Sequence, residues 1–79
     1  MTLSEAIQEA RDRAGQYNAV YFVCYHHGGQ SPDWRHRYIA ARYLGYPAAY
    51  PQNIKLQVSP DGGLTDKAGN PVTESEVSV

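Results

Sequence analysis

Three of the chain's five arginines, Arg35, Arg37 and Arg42, share one short stretch with Trp34, His36, Tyr38 and Tyr43. A guanidinium presents a planar fork of N–H donors that matches phosphate or carboxylate, and aromatic faces stack on bases. No aspartate or glutamate occurs between Asp33 and Asp61, so nothing nearby in sequence neutralises this charge. The pattern is that of a surface for an acidic partner: a nucleotide, a nucleic acid or an acidic protein surface. The plainer reading is a solvated helix face whose arginines pair with the acidic C-terminal residues.

Tyr46 and Tyr50 extend the candidate surface. Seven tyrosines against one phenylalanine is an unusual balance. Tyrosine buries a ring while keeping a polar end, which suits boundary positions in a small protein and also interfaces. The expected partner-binding set is therefore Trp34, Arg35, His36, Arg37, Tyr38, Arg42, Tyr43, Tyr46 and Tyr50.

Other constellations carry weaker signals. Cys24, His26 and His36 would make a transition-metal trio, or a Cys–His nucleophile pair oriented by Asp33, if the loop after residue 25 folded back. Their spacing matches no metal or protease signature, and the plainer reading makes Cys24 a core residue. Gly28, Gly29 and Ser31 precede an expected helix N-terminus and form a candidate anion loop. A phosphate-binding loop normally adds a defined glycine pattern and a lysine, both absent here. Asp61, Asp66, Glu74 and Glu76 fall in turns and tail, so no pair is placed for general acid–base work. The expectation is no metal, no cofactor and no catalytic residue.

The elements that must position these groups fit into 79 residues, enough for one domain with a thin core. One cysteine excludes an intramolecular disulfide, which leaves self-association as the simplest added support and makes a homo-oligomer the expectation. The formal net charge of −1 argues against a general nucleic-acid coat. No apolar run approaches the roughly 20 residues of a membrane span. The first residues lack the basic and apolar regions of a signal peptide, and with a free cysteine the expected location is cytoplasmic.

Thr2 and Glu5 fit a capping box, and Leu3, Ile7, Ala10 and Ala14 share one helical stripe, predicting a helix over 3–14 ended by Gly15. Glu9 and Arg13 are spaced for an ion pair on that helix. Residues 19–25 are β-branched and aromatic and read as a central strand. Ser31, Pro32 and Asp33 then read as a helix start, and Gly45 and Pro47 as its stop, predicting a second helix over 32–44. Strand alternation over 34–43 is the competing reading, and Ala40-Ala41 favours helix. Residues 46–52 read as an extended connection. Ile54, Leu56 and Val58 alternate with Lys55 and Gln57 as a strand. Turns at 59–63 and 66–70 frame a short strand at 64–65, with edge pairing at 71–73. The acidic end, 74–79, is expected to fray or pair at an edge.

The expected fold is α+β: two helices on a three- to four-stranded sheet, a single domain over 1–73 and an acidic tail over 74–79. The two longer strands are either parallel through a crossover or antiparallel with a helical excursion. The expected function is a small non-enzymatic binding module for an acidic partner. A small metal- or Cys/His-dependent enzyme and a purely structural self-assembling subunit are the alternatives. By analogy of size and style alone, the chain is similar to small proteins carried by phages and mobile elements, including inhibitors of host nucleic-acid-targeting defence.

Overall fold

The computed structural model describes residues 2–25 and 38–77. Helix α1 spans Leu3–Tyr17. Its start is the expected capping box: Thr2 Oγ1 accepts from the Glu5 N–H, and Glu5 Oε1 accepts from the Thr2 N–H. Ala6, Ile7, Ala10 and Ala14 form its buried face, and Glu9 meets Arg13 at 2.8 Å. The helix does not stop at Gly15. Asn18 closes it in the left-handed region (φ 49°, ψ 50°), with its N–H donating to the Ala14 carbonyl. Asparagine tolerates that conformation where most side chains do not.

Five strands follow: β1 Tyr21–Tyr25, β2 Tyr38–Ala41, β3 Ile54–Val58, β4 Leu64–Thr65 and β5 Pro71–Val72. They form one sheet in the order β2-β1-β3-β4-β5, antiparallel throughout. β1 and β3 are therefore antiparallel, but the connection between them, expected as a helical excursion, includes the strand β2. Two single helical turns, α2 Tyr46–Ala49 and α3 Glu74–Val77, complete the α+β fold. Among the described residues, three helices and five strands replace the expected two helices and three to four strands.

Register decides what lies under α1. Val23 pairs with Ala40 and Leu56, and Tyr21 pairs with Val58, which pairs with Leu64. These residues share one face and pack with Ala6, Ile7, Ala10 and Ala14 as the core. Strand alternation puts Phe22, Cys24, Ile39 and Ala41 on the other face, and a register shift in the β1–β3 ladder pairs Ile54 with Cys24 there, although alternation with Leu56 and Val58 would have put it inward. The small residues on α1 let the helix lie close to the sheet, as their stripe predicts.

The helix expected over 32–44 is not what forms from residue 38 onward. Tyr38–Ala41 is a strand, and Tyr43, Leu44 and Gly45 form a turn. Ala40-Ala41 reads as helical by propensity, but pairing with Val23 and Phe22 of β1 overrides it. Pro47 does not terminate a helix; it sits in the first turn of α2, where its missing N–H costs nothing. The connection expected to be extended over 46–52 is instead α2 followed by a 3₁₀ turn, Pro51–Asn53, which also begins at a proline.

The turns are built by local hydrogen bonds. Asp61 Oδ1 accepts from the Gly63 N–H, and Asp66 Oδ1 accepts from the N–H groups of Ala68 and Asn70. Gly69 takes φ 89°, which the second turn requires of a glycine. Residues 74–77, where fraying or edge pairing is expected, form α3. Glu74 meets Arg11 at 3.2 Å and accepts from the Ser4 hydroxyl, while Arg11 Nε donates to the Gly62 carbonyl. One arginine on α1 thus holds both α3 and the β3–β4 turn.

Candidate functional site

An open groove of about 610 Å³ lies where the end of β1, the start of β2 and the start of β3 meet the β4–β5 turn. It is lined by Tyr25 and Tyr38, by Gln52, Asn53, Ile54 and Lys55, and by Asp66, Lys67 and Ala68. Each is positioned by an identifiable local cause.

Tyr25 and Tyr38 are register partners in the β1–β2 ladder. Their rings meet edge to face, with centroids 5.7 Å apart. Lys55 owes its place to an irregularity in the β1–β3 ladder. Val23 pairs with Leu56 and the next residue, Cys24, pairs with Ile54, so Lys55 is an extra residue on β3. A bulge of this kind re-aims a side chain and is a recurrent device beside binding sites. Lys67 sits in the Asp66-centred turn, and its Nζ donates to the Gln52 carbonyl at 3.1 Å. An ammonium has three donors, so two remain after this bond.

Two of the lining residues are tied by Tyr46, whose Oη donates to the Tyr25 carbonyl at 3.1 Å and accepts from Asn53 Nδ2 at 2.9 Å. One hydroxyl thus joins the end of β1 to the segment that carries Asn53. The two lysines against Asp66 leave the groove's described residues positive by one charge, on a chain whose formal net charge is −1. The ion pairs Glu9–Arg13 and Arg11–Glu74 use the arginines of α1 and not these lysines.

The expected site residues are divided. Trp34, Arg35, His36, Arg37, Gly28, Gly29, Ser31 and His26 lie outside the described residues. Segment 26–37, which carries them, is joined covalently to the two groove tyrosines, Tyr25 and Tyr38. Tyr38 lines the groove and Tyr46 supports it. Arg42 lies beyond the far end of β2, about 13 Å along the strand from Tyr38 at roughly 3.3 Å per residue. Its guanidinium is 6.0 Å from the centroid of the Tyr21 ring. Tyr43 packs on Phe22 with centroids 5.7 Å apart, and Tyr50 packs on Tyr46 at 4.9 Å. Tyr43, Leu44 and Tyr50 are exposed at 56%, 90% and 47%. From residue 38 onward there is no shared helix face to hold these groups together.

Cys24 is fully buried between its register partners Ile39 and Ile54, and burial pushes its thiol up to about 11. A thiol held protonated in this way is a weak nucleophile and metal ligand. Among the described residues, no three histidine, cysteine, aspartate or glutamate side chains come together as a metal site.

Lys55, Lys67, Tyr25, Gln52 and Asn53 are groove residues that sequence reasoning passes over. Lys55 reads as an ordinary outward strand residue and Lys67 as a turn residue. Only the strand order and the bulge bring them together. Comparison of the chain with family models, with curated proteins and with solved structures finds no match.

Proposed function

We propose that this chain is a non-enzymatic binding module that takes an acidic partner in the groove lined by the Tyr25–Tyr38 pair, Lys55 and Lys67. The observation that carries the reading is that two lysines and a pair of tyrosines in ring contact line one open groove. Lys67 supports it further, because its bond to Gln52 limits the side-chain freedom that binding would otherwise remove. The buried, protonated thiol of Cys24 argues against the Cys/His-dependent enzyme. Exposed Tyr43, Leu44 and Tyr50, none of which lines the groove, favour self-association alongside binding. Inhibition of a host nucleic-acid-targeting system, in a cytoplasmic setting, is a role such a module would suit.

The test is a binding titration of fluorescein-labelled acidic probes, an oligoglutamate peptide and a short oligonucleotide, against the native chain and the Lys55→Glu/Lys67→Glu variant. At least one probe binds the native chain, and the variant loses it while keeping its circular dichroism spectrum. If neither probe binds the native chain, or the variant binds equally well, the proposal is overturned.

A further inference from the structure

We infer that the acidic partner is a single-stranded nucleic acid, held with its phosphates on Lys55 and Lys67 and a base against Tyr38. This rests on the proposed acidic-partner reading and names the chemistry of the partner. An acidic peptide would need the lysines but has no use for the tyrosine pair. A nucleic-acid strand uses both, because backbone charge and base faces alternate along it. Gln52 and Asn53 line the same groove, where a side-chain amide can meet a base edge. The groove is open rather than enclosed, which admits an extended chain. A duplex keeps its bases stacked inside and offers no face to Tyr38.

Charge also limits the mode of binding. Two ammonium contacts correspond to the release of about two counterions, so log K is expected to fall with log salt at a slope of about −1.4, from about −0.7 per phosphate on a single strand. This modest dependence fits a chain of formal net charge −1, in which a general polyanion grip is absent.

The experiment is fluorescence anisotropy with labelled oligothymidylate over a series of salt concentrations, alongside an abasic strand of equal length, a duplex, thymidine monophosphate and an oligoglutamate peptide. The expected slope is about −1.4, falling to about −0.7 in Lys67→Ala. Losing the base interaction, through the abasic strand or through Tyr38→Leu, weakens binding roughly ten- to hundred-fold. The abasic comparison uses the native chain, so it stands even if Tyr38→Leu fails to fold. Equal binding of abasic and base-bearing strands overturns the inference, as does equal binding of the duplex or of the mononucleotide. Binding of oligoglutamate alone, lost in the lysine variants, overturns the inference but keeps the acidic-partner reading. Failure of every acidic probe overturns both.

Discussion

Tyr46→Phe removes a single oxygen that joins the end of β1 to Asn53. Two hydrogen bonds disappear, Tyr46 Oη to the Tyr25 carbonyl and Asn53 Nδ2 to Tyr46 Oη. A hydrogen bond of this kind contributes about 0.5–1.5 kcal/mol net. Both partners are half-buried, so water replaces part of what is lost, and the expected cost is about 1–2 kcal/mol. For a domain of this size each kcal/mol moves Tm by roughly 4–8 °C, so a drop of about 5–15 °C is expected. Binding should weaken as well, because Tyr25 and Asn53 both line the groove. The control is Tyr50→Phe: that ring is exposed and stacks on Tyr46 without a hydroxyl hydrogen bond, so its loss should stay within about 0.5 kcal/mol. Thermal and urea unfolding followed by circular dichroism read both variants. If Tyr46→Phe melts with the native chain while Tyr50→Phe does not, the hydroxyl bridge is not what holds these groove residues.

Other outcomes follow from the same contacts. Leu56→Ala should cost about 2–5 kcal/mol, a large share of a total of about 4–12 kcal/mol for a chain of this length, so its melting temperature by circular dichroism should fall by at least about 8 °C. Arg11→Ala deletes the bonds to Gly62 and Glu74; half-exposed as these are, it should cost about 1 kcal/mol and raise proteolytic cleavage near α3. Cys24 should react slowly with a thiol reagent until the protein is unfolded. Its folded pKa is raised, so its contribution to stability is complete below the ordinary thiol range and is lost as pH climbs towards about 11. Urea midpoints measured across that range should fall less steeply in Cys24→Ala than in the native chain.

Elements with local causes were legible in the sequence. The capping box at Thr2 and Glu5 and the Leu3–Ile7–Ala10–Ala14 stripe describe α1 without help from the rest of the chain. Alternation marks β3 with the residues that the structure shows, and Pro-Asp-Gly-Gly marks the turn after it. β2 was not legible, because two alanines carry no strand signal of their own; their state is decided by the partner strand β1. Gly45 and Pro47 read as the stop of a helix, but they belong to a turn and to the start of α2. The groove was least legible. Its residues come from four separate stretches, and one of its lysines is placed by a bulge that no single-strand pattern encodes.

The most direct test of the central claim is where a ligand lands. Amide chemical shifts of the ¹⁵N-labelled chain, recorded while oligothymidylate is added, report this residue by residue. Binding in the groove predicts changes concentrated at Tyr25, Tyr38, Asn53, Lys55 and Lys67, with Glu9 and Arg13 on α1 unmoved. Changes centred on Arg42, Tyr43 and Leu44, with the groove residues silent, would contradict it.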